Sequence, residues 1–220
     1  MPREKAGPGS EGQRASDAIV VQLRSKIMTL ELEPGRMVTE AYLADLLNCG
    51  RTPLREALQR LSQEHLITAV PRRGVAIAEL SVLDYIHLVE AENGISLLVV
   101  PLAAQRITDE QLKRLAATLE ASRQANARHD LVAYVELDFE YHRQIAEATG
   151  NRYLVDALSP LHRLLTRFTF LGIRSAGSAE GVIEDHQRVF EALSSRDPET
   201  ARRALELHHE NARQRVRSAL

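Results

Sequence analysis

Residues 51–61 read RTPLREALQRL, and residues 71–75 read PRRGV. In the first stretch, Leu54, Leu58 and Leu61 recur at helical spacing on one side, which leaves Arg51 and Arg55 on another side. One face of such a helix can pack on a core while the other face meets phosphates. The first stretch therefore predicts a DNA-recognition helix, and the second stretch predicts a basic wing behind it.

The start of this helix is also marked in the sequence. Thr52 is a suitable N-cap, and Pro53 suits the first helical position. An arginine at the N-terminal end of a helix can contact base edges or phosphates. The alternative is an ordinary amphipathic surface helix with solvated arginines, which this stretch alone does not exclude.

The neighbouring segments favour the DNA-binding interpretation. Residues 18–30 have the apolar spacing of a first helix, and a Glu-Pro-Gly turn follows it. Thr39 caps a second short helix, and Asn48-Cys49-Gly50 provides a tight turn before the arginine-bearing helix. Residues 67–70 and 75–78 are short β-prone runs on either side of the basic stretch. This order predicts a helix-turn-helix followed by a hairpin with a basic tip.

These motifs together closely resemble the winged helix-turn-helix of GntR-family bacterial transcription regulators. The similarity runs from Ala15 to Leu80 and rests on residues 33–36, 39–40, 43–44, 50–58 and 71–75. The resemblance implies that operator contacts come from Arg51, Thr52 and Arg55 on the helix and from Arg73 and Gly74 at the wing tip. The departures from the family pattern are Gly50 in place of Ser or Thr, His65 in place of Gly, and Ala41 at an often basic position.

Composition excludes several other classes of protein. With 220 residues, 44% of them hydrophobic and 26% charged, the chain can form a core and is long enough for two small domains. The single cysteine excludes an intrachain disulfide framework and suits a reducing cytoplasm. No apolar run approaches the roughly 20 residues of a membrane span. We expect a flexible tail at 1–14, a winged helix-turn-helix at 15–80 and a helical domain at 81–220.

Charge matters locally rather than globally, since the formal net charge is only -2. Residues 51–74 carry five arginines against Glu56 and Glu64. A low overall charge predicts weak non-specific binding to DNA. Specificity would then depend on a homodimer that reads two half-sites of a pseudo-palindromic operator.

Residues 81–220 predict an antiparallel bundle of about six or seven helices, so the fold class is mostly α. Glycines and prolines, Pro101 and Pro160 among them, are the expected breaks. Asp138 and His142 lie on the apolar stripe of one helix and His186 on that of a second, while a third offers His208 or His209, between which periodicity does not choose. Histidines on an apolar stripe can be hydrogen-bonded core residues. Three of them with an aspartate favour a divalent metal site for Zn, Ni or Mn.

This region resembles the all-helical effector-binding domain of the FadR subfamily, called FCD. The similar segments are residues 137–142, 148–151, 184–186 and 197–199. The resemblance implies the metal ligands Asp138, His142, His186 and His208. It leaves His129, His162 and His209 as surface or second-shell residues. It also implies a metal at the floor of a cavity, where it helps to hold a small organic acid.

One departure concerns the effector. Many relatives have an arginine for the ligand carboxylate where this chain has Glu92. Either Arg163 or Arg167 takes over that contact, or the effector is not a simple acid, or the metal is structural.

The resemblance therefore predicts a bacterial transcriptional regulator, with repression the commoner outcome, that responds to a small metabolite. Two alternatives stay open: a metal sensor in which the ion is the inducer, and a metal-dependent enzyme. The enzyme is disfavoured because HExxH, a phosphate-binding loop and a nucleophile motif are all missing from the sequence.

Overall fold

The computed structural model describes residues 8–219, with side chains from residue 14 onward. It divides into two compact units, one ending at Leu80 and the other beginning at Ser81. The elements of the first unit are α1 (Pro8–Met28), β1 (Met37–Val38), α2 (Glu40–Leu46), α3 (Arg51–Gln63), β2 (Ile67–Val70) and β3 (Gly74–Ile77). α1 begins at Pro8, inside the segment 1–14 that was predicted as a tail. Residues 1–7 of the predicted tail lie outside the described residues.

The first unit is a winged helix-turn-helix, as predicted. α1 packs on α3. Leu23 and Ile27 of α1 are buried, and so are Leu54 and Leu61 of the predicted apolar face of α3. Burial of such side chains contributes about 1.5–3 kcal/mol each. The packing turns the opposite side of α3, which bears the arginines, toward solvent.

The N-cap of α2 agrees with the prediction from the sequence, whereas the N-cap of α3 differs from it. Thr39 caps α2, because its hydroxyl accepts a hydrogen bond of 3.1 Å from the Tyr42 amide. The N-cap of α3 is Gly50, which makes no side-chain cap. The prediction of Thr52 as N-cap was therefore wrong, and Thr52 lies in the first turn instead.

The wing is a three-stranded antiparallel sheet in the order β1-β3-β2. The predicted hairpin pairs Ile67 with Ile77 and Val70 with Gly74. β1 adds a short third strand on the other edge of β3. Gly74 has a φ of +110°, and a Cβ there would lie 2.2 Å from the carbonyl oxygen of Val38. Only glycine fits this position, because β1 passes directly against it.

The second unit contains six helices, in agreement with the predicted bundle. They are α4 (Val82–Arg106), α5 (Asp109–Ala127), α6 (Leu131–Ala148), α7 (Arg152–Ala176), α8 (Glu180–Ser194) and α9 (Pro198–Arg217). Pro101 and Pro160, expected as breaks, lie inside α4 and α7. The core gathers apolar side chains from all six helices, with Val99, Tyr141 and Leu193 among its most buried members.

α4 differs from the expectation that no segment could span a membrane. α4 is long enough to cross a membrane and contains a window of mean hydropathy 1.3. Among the described helices, it alone is both long enough and apolar enough for such a span. α4 nevertheless packs against α6, α7 and α9 and carries the buried Glu92. An apolar composition of this kind is also typical of a helix in the core of a folded domain. Within the chain, 28% of the hydropathy window is buried.

Candidate functional site

The predicted DNA-contacting side chains lie on the surface of the first unit. Arg51, Thr52 and Arg55 are exposed on α3, and Arg73 is exposed in the wing. Arg55 donates a hydrogen bond of 2.8 Å to Glu40 of α2. An exposed ion pair of this kind contributes little stability, so a phosphate can replace Glu40 as the partner of Arg55 at low cost.

Gly74 differs from the other predicted DNA-contacting residues. It is partly buried, and its conformation is set by the close approach of β1. Its described contacts hold the backbone of the wing in place. The exposed Arg72 and Arg73 immediately before it carry the positive charge.

The four predicted metal ligands come from three helices of the second unit. α6 provides Asp138 and His142, α8 provides His186, and α9 provides His208. The three histidines offer ligand atoms that all lie within 4.8 Å of one another. The Nε2 atoms of His142 and His186 are 3.2 Å apart, and Asp138 Oδ1 lies 3.7 Å from His186 Nε2. The structure thus brings the predicted ligands together.

The geometry of this cluster fits a divalent ion. Two imidazole nitrogens on a tetrahedral Zn²⁺, at about 2.0–2.1 Å each, are separated by roughly 3.3–3.4 Å. The separation of 3.2 Å between His142 and His186 is close to that value. The Nδ1 atom of His208 is buried and has no hydrogen-bond partner in the described residues. Such an atom is satisfied by a metal or by another ligand.

The protonation of the cluster also suits a metal. Burial lowers the pKa values of His142, His186 and His208 well below the ordinary value, so their imidazoles are neutral. Neutral imidazole is the metal-binding form. Burial raises the pKa of Asp138, while nearby His142 and Arg215 lower it in part. A cation at this position would offset the cost of a buried carboxylate.

Neighbouring groups fix the orientation of the cluster. The Tyr141 hydroxyl donates a hydrogen bond of 2.7 Å to the His186 carbonyl, and the two rings stack with centroids 4.4 Å apart. The buried Asp185 accepts from Asn211 at 2.7 Å and from Arg188 and Arg215 at 2.6 Å each. Arg215 is therefore held in place by an anion.

The remaining histidines differ from one another. His129 is exposed, as the resemblance implied. His162 on α7 is not a surface residue: its Nε2 lies 3.6 Å from Asp138 Oδ2, and burial lowers its pKa to about 3. Oδ1 of Asp138 faces His186 and Oδ2 faces His162, and Asp138, His142 and His162 also offer ligand atoms that lie within 4.8 Å of one another. His209 is also buried, and its Nε2 lies 3.3 Å from Glu92 Oε2.

The cluster faces a cavity inside the second unit. Its atom-free volume, including solvent at the mouth, is about 670 Å³. Polar residues of the wall include Asp138, His142, His162 and His208, together with Glu92, Asn93 and His209. Val89, Leu165 and Ile173 contribute apolar surface. A small, partly polar ligand matches such a wall.

Arg163 and Arg167, the predicted effector contacts, do not line this cavity. The wall residues of α7 begin with His162, Leu165 and Thr169, so Arg163 and Arg167 lie on other faces of that helix. Arg163 lies over the Phe139 ring, and Arg167 is buried, with a pKa that burial lowers to about 10. The arginines in the cavity wall are Arg213 and Arg215 of α9.

Sequence reasoning missed these two arginines and the position of His162. A signal for Arg215 was present, because the stripe of α9 that passes through Leu205 and His208 continues to Ala212 and Arg215. His162 had no comparable signal, since α7 has buried residues on several of its faces.

The comparisons with known proteins agree with this architecture. The FCD domain matches residues 87–211, more than half of the chain. The family described as bacterial regulatory proteins, gntR family, matches residues 15–77. The chain belongs to the GntR family and carries an FCD domain.

Individual relatives agree with this assignment. The GntR-family chain is 26% identical over 195 residues to the HTH-type transcriptional repressor RspR of Escherichia coli, covering 89% of this chain and 86% of that one. It is also 26% identical over 189 residues to the uncharacterized HTH-type transcriptional regulator YdhC of Bacillus subtilis, covering 85% and 84%. These families and relatives are regulators of transcription and not enzymes.

Solved structures show the same fold. The chain superposes on E. coli McbR/YncC with a TM-score of 0.80 at 20% identity, covering 93% of this chain and 97% of that one. A GntR transcriptional regulator from Rhodococcus sp. RHA1 gives a TM-score of 0.76 at 18% identity, covering 96% and 99%. At these identities the similarity supports the fold alone.

Proposed function

We propose that this GntR-family regulator is a cytoplasmic, homodimeric repressor of the FadR subfamily. Its binding to a pseudo-palindromic operator responds to a small organic acid bound near a divalent metal in the FCD domain. The observation that carries this proposal is the cavity of the second unit, where a buried His/Asp cluster faces a partly polar, partly apolar wall.

The DNA-binding part rests on the exposed arginines. Arg51 lies at the N-terminal end of α3, where the helix dipole attracts phosphate and the guanidinium group can contact phosphate or guanine. Arg55 lies one turn later, and Arg73 is presented by the wing. Thr52 and the Gly74 backbone complete the proposed operator contacts.

Operator binding can be tested with sites selected from random double-stranded DNA. We expect Arg51→Ala to weaken binding to the selected site by about 10- to 100-fold, because a base-contacting arginine contributes roughly 1–3 kcal/mol. Gln63→Ala, at the far end of the same helix, is the control and should bind normally. Unchanged affinity of the Arg51 variant would refute the proposed contact.

The metal part assigns the ligands as Asp138, His142, His186 and His208. A bound Zn²⁺, Ni²⁺ or Mn²⁺ would polarise an oxygen of an acid ligand in the cavity. The residues themselves orient the site: Tyr141 fixes His186, and Asp185 fixes Arg215 beside the cavity. Arg213 and Arg215 replace Arg163 and Arg167 as the proposed cationic contacts of the effector.

Elemental analysis tests the metal site directly. We expect close to one equivalent of divalent metal in the wild type and a large loss in His208→Ala, while His129→Ala, in an exposed turn, keeps its metal. Equal metal content in the two variants would contradict the assignment. Operator affinity is then compared for the apo protein, the metal-loaded protein and the metal-loaded protein with metabolite. If removal of the metal alone releases the operator, the ion itself is the effector.

The homodimer is supported by uncovered apolar side chains on α4. Val82, Leu83, Ile86 and Leu98 are between 52% and 60% exposed within one chain. A second copy would remove this surface from water and would place two winged helices on two half-sites. We expect Leu98→Arg to be monomeric in light scattering, whereas Leu207→Arg, on α9, remains a dimer. A dimeric Leu98 variant would exclude this surface as the interface.

A further inference from the structure

The cavity wall contains a second polar group besides the His/Asp cluster. Its centre is Glu92 on α4, which is 4% exposed and faces the cavity. Its neighbours are Ser96 on the same helix, the adjacent Asn93, and His209 on α9.

The hydrogen bonds of this group fix its protonation pattern. Ser96 donates its hydroxyl proton to Glu92 Oε1. The side-chain amide of Asn93 is oriented with its nitrogen toward two acceptors. This nitrogen donates a hydrogen bond of 2.7 Å to His209 Nδ1 and one of 3.3 Å to Glu92 Oε2. His209 Nδ1 is then an acceptor, so the Nε2 atom carries the proton and faces Glu92 Oε2 at 3.3 Å.

The negative charge of Glu92 is not balanced by these neighbours. Ser96 and Asn93 are neutral, and His209 is neutral as well, because its Nδ1 atom accepts the Asn93 hydrogen bond and only Nε2 carries a proton. Among the described residues, neither lysine nor arginine lies within ion-pair distance of Glu92. Burial raises the pKa of the carboxyl to about 7, which reflects the cost of an uncompensated buried charge.

A bound cation would remove that cost. One small ligand can contact both Glu92 and the His/Asp cluster, because both groups line the same cavity and are adjacent on α9 through His208 and His209, whose ring centroids are 5.7 Å apart. We infer that the effector is an amino carboxylate whose ammonium group pairs with Glu92 and whose carboxylate faces the metal cluster and Arg215. This inference rests on the proposed function and specifies its ligand class.

Two series of small molecules test this inference. The first contains glycine, β-alanine, 4-aminobutanoate, 5-aminopentanoate and 6-aminohexanoate. The second contains the acids of equal chain length that lack the amino group. Binding is measured by calorimetry and by thermal shift on the full-length protein, with and without added Zn²⁺, because a bound ligand raises the melting temperature.

We expect at least one amino acid to bind tenfold or more tightly than its matched acid. Glu92→Gln should reduce that ratio to near one, Glu92→Asp should retain part of it, and Glu206→Gln, at an exposed position of α9, should leave it unchanged. Circular dichroism confirms that each variant is folded.

Equal or tighter binding of the plain acids to the wild type, or an amino-acid preference that survives in Glu92→Gln, overturns the inference. Binding of neither series overturns it as well. If plain acids bind and release the operator, the inference fails while the proposed function stands. If metal content and operator release are both absent, the proposed function fails.

Discussion

The first unit keeps the arginines of α3 and the wing in solvent, whereas the second unit buries several charged side chains. The buried charged residues of the second unit are Glu92, Asp138, Arg167 and Asp185, each at most 4% exposed. An exposed arginine is already solvated and can exchange one anionic partner for another at little cost. A buried charge needs a fixed partner. Substitution of the exposed arginines of the first unit should therefore change DNA binding with little effect on stability. Substitution of the buried charged residues of the second unit should change both binding and stability.

The largest expected effect concerns Asp185. Asp185→Ala removes three hydrogen bonds to a buried carboxylate, from Arg188, Asn211 and Arg215, so we expect the second unit to lose about 3–5 kcal/mol of stability. Glu40→Ala, in the first unit, removes the exposed ion pair of 2.8 Å to Arg55 and should cost below about 1 kcal/mol. Hydrogen exchange resolved by peptide measures each unit separately. A similar loss in both variants would break the proposed contrast.

The pH dependence of stability sharpens the role of Glu92. Folding raises the pKa of this acid from 4.5 to about 7, so its ionisation destabilises the folded state. The cost is absent below pH 4.5, grows as the pH rises, and is complete above about pH 7, where it reaches roughly 3 kcal/mol. We expect the stability of Glu92→Gln relative to the wild type to rise between pH 5 and 8. A difference that does not change with pH would contradict burial of this charge.

A substitution at Gly74 tests whether the backbone of the wing is rigid, although its arginines are exposed. Gly74→Ala places a Cβ 2.2 Å from the Val38 oxygen at a positive φ, and we expect a loss on the order of 1–3 kcal/mol. Gly177→Ala in the second unit also has a positive φ but meets no atom within 4 Å, so its loss should be smaller. Amide exchange near β1 should increase in the Gly74 variant alone.

The smallest expected effect is common to both units. His65 follows α3 with a φ of 58°, and His129 follows α5 with a φ of 55°. Glycine adopts this conformation without strain, although it also increases the entropy of the unfolded chain. We expect His65→Gly and His129→Gly each to stabilise by up to about 1 kcal/mol in urea unfolding. A loss in either variant would contradict the expectation that relief of the positive φ outweighs the added entropy of the unfolded chain.

Much of the fold and of the candidate metal cluster could be predicted from the sequence. Apolar periodicity identifies α3 because only one of its faces is buried, and the same rule places Asp138 and His142 inside the bundle. It could not identify the cavity-facing side of α7, because this helix has buried residues such as Arg167 and Phe168 on faces that do not line the cavity. β1 has only two residues, too few for an alternating pattern, so the third strand of the wing was not predicted.

That two-residue strand has a consequence for how the wing can vary. β1 pairs Met37 with Ala76, and the Gly35 amide donates to the Ile77 carbonyl, so residues 35–38 and β3 have a fixed register. An insertion or deletion within residues 35–38 would shift β3 or break the pairing. Changes in length are compatible with this register only in the turn at residues 71–73, where they would alter the reach of Arg72 and Arg73 without moving α2 or α3.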